Sequence, residues 1–379
     1  MKKAVIIPDS FKGTLSSETI CSIMAENIKK YFPKCHIVSI PVADGGEGSV
    51  NCFLTALGGE KIYETVKNPY FEDMRTFYGL INDGKTAVIE MASCAGLPLV
   101  EDRKNPAKTT TYGVGQLILA ACKKGCKKII VGLGGSSTND GGTGAAAALG
   151  VKFYNKYEEE FVPVGATLKE IFKIDMTERS AAIDYIEIVT MCDIDNPMYG
   201  ANGAAYIFGP QKGADSFMVA ELDEGLRNLC DVIKRDIGID LKDIPGGGAA
   251  GAMGAGMIAF FNSKIQMGIE TVLDNVNFDE VINDADMIFT GEGKIDSQSL
   301  RGKVVIGVAK RAKKKNVAVT VVVGGAEDGI DEVYDMGVTS IFTINRLPQD
   351  FSTSRIHSKE NMSATMDNIL RLIKSYKNK

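Results

Sequence analysis

The sequence predicts an α/β fold with two domains, one of which contains a doubly wound parallel sheet. Short apolar runs alternate with helical patterns at both ends of the chain, and the middle combines such alternation with a hairpin signal. At 379 residues with 45% hydrophobic content, the chain is long enough to bury two cores. Two α/β units are therefore the expected architecture.

The N-terminal part of the chain alternates strand and helix. Strands are predicted at 3–7 and 36–40, and helices at 17–32 and 49–57. A serine precedes the first helix as a cap, and a pair of glycines ends the second. This order is typical of parallel strands joined by helical crossovers.

The C-terminal part repeats this order. Its predicted strands are 287–290, 318–323 and 339–343, and its predicted helices are 304–314, 330–335 and 360–376. Two strands at one end and three at the other are each too few for a covered parallel sheet, whereas together they give about five, as is usual for a doubly wound domain. We therefore predict a discontinuous domain of residues 1–60 and 285–379, with residues 61–284 inserted as a mixed α/β domain.

The middle of the chain contains antiparallel as well as parallel strand signals. Its predicted strands are 61–66, 74–81, 86–91, 128–133 and 186–191, and its predicted helices include 112–123 and 217–235. Asp83-Gly84 is a strong two-residue hairpin signal. The stretch from Gly79 to Thr86 also matches the P-loop expression, but a β-branched run follows Lys85 where a P-loop needs a helix, so we interpret it as a hairpin.

Charge, histidine and cysteine content limit the function classes. The formal net charge of −5 argues against nucleic acid or an anionic membrane as the main partner. No apolar run approaches the ~20 residues of a membrane span. Eight cysteines form no CxxC pair and only two histidines are present, so a zinc site and histidine catalysis are both unexpected. We expect a reduced cytoplasmic protein whose general base is Asp or Glu.

Three Gly-rich turns, at residues 134–144, 245–256 and 291–303, follow apolar runs. A strand that ends in glycines and reopens as a helix points backbone N–H groups and a positive dipole end at a ligand, which suits phosphate. The candidate nucleotide-binding positions of the first two turns are Gly134, Gly135, Ser136, Ser137, Gly247 and Gly248. One such loop is explained by an ordinary tight turn, whereas three favour an enzyme that handles phosphates.

The third turn combines acidic and basic side chains, among them Glu292, Asp296, Arg301 and Lys303. Phosphoryl transfer requires carboxylates for the metal and cations for the charge on the moving group. A hydrophilic surface loop has a similar composition, but this turn directly follows an apolar strand and precedes a helix.

Two further polar turns follow the N-terminal strands, at the edge where ligands of open α/β sheets bind. Lys12 offers a point charge for a carboxylate or a phosphate, with Ser10 as a hydroxyl partner. Asp44 is a candidate metal ligand or base. Alternatively, Ser10 and Asp44 only cap their turns.

Asp193 and Asp195 alternate at the end of a predicted strand, so that both side chains point to the same face. This arrangement suits Mg²⁺, which usually takes one or two carboxylates together with waters and substrate phosphates. The alternative is a pair of solvated turn aspartates before a proline. Lys212, in a basic turn further on, is another candidate phosphate ligand.

Seven segments carry a family resemblance: PDSFKGTLS, PVADGGEG, GLGGSSTNDGG, CDIDNP, GPQKGA, PGGGAAG and TGEGKIDSQSLRGK. In order and spacing they resemble the type-1 (bacterial) glycerate kinases over essentially the whole chain. The resemblance implies a flavodoxin-like domain, a restriction-enzyme-like domain, and transfer of the ATP γ-phosphate to D-glycerate with Mg²⁺. Neither the residue patterns nor the resemblance decides which hydroxyl is phosphorylated; 2-phosphoglycerate is slightly favoured over 3-phosphoglycerate as the product.

Together with the residue patterns, the resemblance implies four sets of site residues. The catalytic candidates are Asp193, Asp44, Lys12 and Lys212. The substrate-binding candidates are Ser10, Lys12, Asp44 and Arg301. Glu292 and Lys303 join the six nucleotide-binding candidates of the first two Gly-rich turns, and the metal candidates are Asp193, Asp195 and Asp296.

Two other functions agree with the same residues. One is a kinase for another small hydroxy acid, because pocket shape rather than phosphate chemistry selects the acceptor. The other is a non-catalytic nucleotide-sensing protein that kept the fold, although the paired aspartates speak against it. The expected partners are glycerate and ATP, and homodimer formation is left open.

Overall fold

The computed structural model describes residues 1–43, 45–297 and 299–377, except for the side chains of residues 301 and 377. The chain forms two compact units. Unit 1 comprises residues 1–43, 55–57 and 267–379, and unit 2 comprises residues 44–54 and 58–266. Both are α/β, as predicted. The unit bounds differ from the predicted domain bounds at 44–54 and 58–60, which group with unit 2, and at 267–284, which groups with unit 1.

Unit 1 contains a five-stranded parallel sheet within the described residues. From edge to edge, its strands are Ser340–Thr343, Val319–Val323, Met287–Gly291, Lys3–Pro8 and His36–Ser39. When only these five strands are numbered along the chain, their spatial order is 5-4-3-1-2, which is the order of flavodoxin-like sheets. The succession reverses between Lys3–Pro8 and Met287–Gly291, and the turns after these two strands therefore lie where such sheets bind ligands.

The α-helices of unit 1 alternate with its strands along the chain. They are Ser17–Tyr31, Gly268–Asn275, Phe278–Val281, Val304–Lys314, Glu332–Asp335, Phe351–Ser354 and Ser358–Lys377. Shorter elements are the strands Lys294–Ile295 and Gly325–Ala326 and the 3₁₀ helices Ser299–Arg301 and Arg355–His357. The hydroxyl of Ser16 caps the first helix by accepting from the Thr19 N–H at 3.2 Å. Ile20 and Met24 of this helix share a core with Met362 of the last one.

Unit 2 contains a six-stranded mixed sheet in the described part of the chain. In spatial order, its strands are Lys264–Gln266, Glu187–Met191, Lys128–Gly132, Thr86–Glu90, Asp73–Ile81 and Glu60–Lys67. The first four are parallel, and the last two join as antiparallel strands. Gly79 pairs with Val88 and Ile81 with Thr86, which confirms the hairpin and excludes a P-loop here.

Unit 2 also has a small antiparallel sheet that the sequence analysis did not predict. Its strands are Lys152–Tyr154, Glu160–Phe161 and Lys173–Asp175. The α-helices of the unit are Ser49–Leu57 (its last turn grouped with unit 1), Ala92–Ala95, Tyr112–Lys123, Thr143–Ala148, Ala204–Phe208, Ser216–Asp236 and Ala249–Phe261. Its 3₁₀ helices are Leu97–Arg103, Gly165–Glu170, Ala181–Tyr185 and Pro210–Lys212. Phe153 and Phe260 meet edge to face in the core, with ring centroids 5.8 Å apart.

Across the described ranges of both units, no helix is both long and apolar enough to cross a membrane.

Candidate active site

In unit 1, the turn after the strand Lys3–Pro8 contacts the turn after Met287–Gly291. The Asp9 N–H donates to the Gly291 carbonyl at 2.8 Å. A Cβ added to Gly293 would be in ordinary van der Waals contact with the backbone of Phe11, 3.5 Å from its Cα. These two turns, which are far apart in the sequence, meet at the switch point of the sheet.

Glu292 is the buried acid of this switch-point cluster. Its side chain is only 6% exposed. The pKa of Glu292 is raised to about 7, chiefly by burial. A hydrogen bond with the Ser299 side chain opposes this rise, and the negative charge of Asp9 adds to it. Among the described residues, its Oε1 atom has no hydrogen-bond partner. Glu292 is therefore a carboxyl group poised to change protonation near neutral pH, with one oxygen available to a ligand.

Two of the other predicted residues of unit 1 lie close enough to this acid for their charges to act on it. The charges of Asp296 and Lys303 both act on Glu292. Asp296 accepts hydrogen bonds within its own turn, from the Ser299 N–H at 3.2 Å and from the Ser299 hydroxyl at 3.5 Å. Lys303 occupies the N-cap position of the helix Val304–Lys314, where an anion is favoured by the helix dipole.

Ser10 and Lys12 lie in the first of the two switch-point turns. The Ser10 N–H donates to Oδ1 of Asp9 at 2.6 Å, and Lys12 is exposed. The Asp9 carboxylate is thereby held by its own turn. The predicted substrate ligand Arg301 belongs to the same unit, but its side chain lies outside the described residues.

In unit 2, Lys212 lies against the Gly-rich turn 134–144. Its Nζ donates to the Ser136 hydroxyl at 2.9 Å and to the Thr138 carbonyl at 2.6 Å. The side chain is 2% exposed, and this burial lowers its pKa to about 7, although the nearby Asp140 acts in the opposite direction. The sequence predicts a basic turn whose lysine reaches a phosphate. The structure instead places the ammonium group inside the unit, where it joins two of the predicted motifs.

Asp140 organises the rest of this turn. Its buried carboxylate accepts hydrogen bonds from the Thr111 N–H at 2.7 Å, the Thr111 hydroxyl at 2.8 Å, and the amides of Gly142 and Gly144. Burial raises its pKa despite these bonds. Beside it, Asn139 is fully buried, and its side-chain amide has no partner among the described residues. Sequence reasoning assigned no role to Asp140, whose place between turn glycines indicated only a turn.

Backbone packing requires glycine at two of the predicted phosphate-turn positions, 134 and 248. A Cβ on Gly134 would lie 2.5 Å from the Cα of Gly46, and the Gly134 N–H donates to the Gly45 carbonyl at 3.0 Å. The Gly248 N–H likewise donates to a backbone carbonyl, that of Asn196, at 2.9 Å, and a Cβ at this glycine would lie 2.2 Å from the Pro197 carbonyl oxygen. Gly135 differs because it has a φ of +75° but more space around its Cα. The assignment of these glycines to a nucleotide stays a prediction.

The two remaining nucleotide-binding candidates make contacts within unit 2. The Ser137 hydroxyl and N–H both donate to the Ala95 carbonyl at 2.9 Å. The Gly247 N–H donates to the Ile244 carbonyl at 3.0 Å. These bonds fix the positions of the two turns. Because the Ser137 hydroxyl and N–H and the Gly247 N–H already donate within the unit, a nucleotide would have to contact other atoms of these residues.

Asp193 and Asp195 follow the strand Glu187–Met191, as predicted. Asp193 is half-buried and Asp195 is exposed. Both charges act on the Cys192 thiol, whose pKa is raised to about 11, chiefly by burial. Two carboxylates at a strand end suit the ligand preference of Mg²⁺. Among the described residues, no three His, Cys, Asp or Glu side chains are grouped closely enough to hold a metal ion.

Glu90 is a buried acid to which the sequence patterns gave no role. It ends the buried strand Thr86–Glu90 with an exposure of only 5%, and its Oε1 accepts from the Val50 N–H at 2.6 Å. A second backbone bond comes from Gly48, yet burial still raises the pKa of Glu90. Glu90 therefore anchors the turn 45–50 to the sheet of unit 2. The predicted catalytic residue of that turn, Asp44, lies outside the described residues.

Comparisons with known proteins show which family the chain is similar to. The model of the Glycerate kinase family matches residues 4–374. Glycerate kinase of Bacillus cereus is 43% identical over 97% of each chain, and glycerate 2-kinase of Escherichia coli is 42% identical over 90% of each. A crystal structure from Salmonella typhimurium LT2, provisionally named glycerate kinase 2, aligns over 100% of both chains with a TM-score of 0.89 at 35% identity. The chain therefore belongs to the glycerate kinase family and is a kinase enzyme.

Proposed function

We propose that this kinase transfers the γ-phosphoryl group of ATP to the 2-hydroxyl of D-glycerate. The observation that carries the proposal is the cluster of Glu292, Asp9, Asp296 and Lys303 at the switch point of the unit 1 sheet. Opposite charges around a buried carboxyl, at the edge where doubly wound sheets bind ligands, support a site for an anionic substrate and a phosphoryl group.

Within unit 1, we assign the acid substrate to the first switch-point turn. Lys12 supplies a single exposed cation for the glycerate carboxylate, and Ser10 supplies a hydroxyl. We assign Glu292 and Lys303 to the nucleotide, because the N-cap position of Lys303 favours a phosphate. Arg301 remains a candidate for the carboxylate.

Within unit 2, we assign Asp193 as the general base or a Mg²⁺ ligand, and Asp195 as a Mg²⁺ ligand. Mg²⁺, when bound, neutralises charge on the phosphates and orients them. Lys212 positions Ser136 and the backbone of the turn 134–144, because its ammonium group is committed to the Ser136 hydroxyl and the Thr138 carbonyl. Asp44 and Asp296 remain candidates for base and metal ligand, respectively.

Phosphorylation at the 2-hydroxyl is supported by the relative named glycerate 2-kinase at 42% identity. The test is an ADP-release assay with ATP and Mg²⁺ across D-glycerate, L-glycerate, lactate, tartronate and glycerol, followed by ³¹P–¹H NMR of the product. We expect turnover with D-glycerate and a phosphorus coupled to the single proton at C2. Coupling to the two C3 protons would reassign the acceptor hydroxyl, and faster turnover of another acid would reassign the substrate.

A further inference from the structure

The turn 45–50 lies across the carboxyl ends of three neighbouring parallel strands of the unit 2 sheet. One of these strands ends at Glu90, which bonds to the turn. The Gly45 carbonyl accepts from the N–H of Gly134, two residues beyond the end of the middle strand. A Cβ added to Gly45 would lie 3.2 Å from the Cβ of Met191, the last residue of the third strand. The turn therefore occupies the edge at which open α/β sheets bind ligands.

Two of the candidate motifs of unit 2 begin at these strand ends. The Gly-rich turn 134–144 follows the middle strand, and Asp193 follows the third strand by two residues. The contact with the Gly-rich turn is close, because a Cβ on Gly134 would lie 2.5 Å from the Cα of Gly46. A displacement of the turn 45–50 would therefore be transmitted to the backbone from which both motifs start.

Glu90 supplies a cap that the helix after this turn lacks. The helix Ser49–Leu57 has Gly48 at its N-cap position, with a φ of +90° and no side-chain hydrogen bond at the cap. Glu90, 40 positions away in the chain, accepts from the Val50 N–H at 2.6 Å and also bonds to the backbone of Gly48. A carboxylate at this end of a helix is favoured by the helix dipole and satisfies N–H groups that the helix itself leaves unpaired.

The acid at position 90 is costly unless the turn requires it. The strand Thr86–Glu90 is buried along its whole length, and Glu90 is only 5% exposed. Burying a carboxyl group costs free energy that an apolar side chain at the same strand end would not cost. The backbone N–H groups of the turn offset this cost. The position of the turn, rather than the packing of the sheet, therefore explains why an acid ends this strand.

We propose that Glu90 is a positioning residue of the phosphoryl transfer reaction. Its carboxylate holds the turn 45–50 on the three strand ends, and the turn in its place keeps the start of the turn 134–144 and the segment of Asp193 aligned. A displacement of about 1 Å in such a site can lower the rate on the order of 10²-fold. The proposal rests on the proposed function, because it concerns the alignment of residues that are assigned there.

The kinetic test is Glu90→Gln in the full-length protein. The amide has nearly the same shape, but only its oxygen accepts hydrogen bonds, so it cannot hold two backbone N–H groups through two oxygens. We expect kcat to fall about 10- to 100-fold, with the KM values for ATP and glycerate within about threefold of wild type, because the groups that contact the ligands are unchanged. A lower thermal midpoint with wild-type kcat, measured well below that midpoint, would show a purely structural role and overturn the proposal.

Glu187→Gln is the matched control. Glu187 begins a parallel strand of the same sheet, is exposed, and pairs with Lys128 at 3.3 Å. Its replacement removes one negative charge from unit 2 at the opposite end of a strand. This variant should keep the wild-type kcat. An equal fall of kcat in both variants would assign the effect to net charge and overturn the role of Glu90.

Hydrogen exchange tests the anchor without turnover. NMR of the wild type should show slow exchange for the amides of Gly48 and Val50, although the first amides of an uncapped helix exchange fast. In Glu90→Gln both should exchange at least about tenfold faster. Fast exchange of both amides in the wild type would overturn the proposal even if the variant does not fold. Slow exchange in a protein without glycerate kinase activity would instead refute the proposed function and leave the anchor standing.

Discussion

The ammonium group of Lys212 donates a 2.9 Å hydrogen bond to the hydroxyl of Ser136, 76 positions earlier in the chain. This bond and a second one to the Thr138 carbonyl connect two motifs that looked independent in the sequence. A buried cation with two fixed acceptors restrains both turns, and it also makes the stability of unit 2 depend on pH. Lys212 therefore has a structural consequence that can be measured separately from catalysis.

We predict that Lys212→Met removes a rise of stability with pH. The pKa of Lys212 is lowered from an ordinary 10.5 to about 7 in the folded protein. Between these values the unfolded chain binds a proton that the folded chain has lost, so raising the pH favours the folded state. Relative to the variant, the wild-type free energy of unfolding should rise from pH 7 to pH 10 by up to about 1.4 kcal/mol per pH unit. Urea denaturation at several pH values measures this difference.

The control for Lys212→Met is Lys234→Met, which removes an exposed lysine of the same unit, paired with Asp240. Its stability should follow the wild-type pH dependence. Parallel curves for wild type and Lys212→Met over the same pH range would show that Lys212 does not lose its proton in the folded protein.

The order of strands and helices could be predicted from the sequence, because both elements have periodic patterns of apolar residues. The apolar runs that became Lys3–Pro8 and Met287–Gly291 are fully or nearly fully buried, as expected of central parallel strands. The pair Asp83-Gly84 specified the hairpin, and the β-branched residues after it were sufficient to reject a P-loop. These predictions were correct because residues close in the sequence determine the backbone conformation of such segments.

The side-chain contacts of the candidate site could not be predicted from local sequence patterns. Lys212 lies in a basic turn that gives no sign of burial, and Glu90 is a lone acid at the end of an apolar strand. Their hydrogen-bond partners, Ser136 and Val50, are far away in the chain. For the same reason the segment 44–54 groups with unit 2. Its Gly45 carbonyl and Val50 amide bond to that unit, whereas its sequence continues the alternation of the N-terminal segment. An acid that ends an otherwise apolar strand, as Glu90 does, is the one sequence signal that could have indicated this anchor.

We predict that Asp193→Asn lowers kcat by at least about 100-fold with little change in the thermal midpoint. The carboxylate is half-buried at a strand end, so the isosteric amide preserves packing but cannot act as a base and is a weaker Mg²⁺ ligand. Steady-state kinetics at saturating Mg²⁺, ATP and glycerate, together with thermal denaturation, give both quantities. Asp240→Asn, at an exposed position of the same unit, is the control. Wild-type kcat in Asp193→Asn would exclude both proposed roles.

We predict that alanine at Gly134 and at Gly135 has different effects. At Gly134 the new Cβ meets the backbone of Gly46 at 2.5 Å, so the turn 45–50 must move, and stability should fall by several kcal/mol. At Gly135 the nearest atom is the Ala92 Cβ at 3.3 Å, and the cost is chiefly that of a positive φ, about 1–2 kcal/mol. Gly135→Ala should therefore stay folded and raise the ATP KM. An unchanged ATP KM in a folded Gly135→Ala protein would indicate an ordinary turn with no role in nucleotide binding.

Lys12 is expected to bind the acid substrate rather than the nucleotide. It is exposed in the short turn after the central strand Lys3–Pro8, where Phe11 and Leu15 pair as an isolated bridge. Such a turn is too short to wrap a triphosphate, but it presents one compact charge next to Ser10, which is sufficient for the carboxylate of a three-carbon hydroxy acid. Lys12→Met should thus raise the glycerate KM at least tenfold and change the ATP KM by less than about twofold.

The matched control for Lys12→Met is Lys34→Met, at an exposed position of the same unit away from the switch-point turns. It should leave both KM values unchanged, which separates the local contact of Lys12 from a general effect of net charge on substrate attraction. That general effect also weakens with ionic strength, so repeating the assay at ~0.5 M salt should reduce any change shared by the two variants and retain the change specific to Lys12. A large rise of the ATP KM with an unchanged glycerate KM would place Lys12 on the γ-phosphate and leave Arg301 as the ligand of the carboxylate.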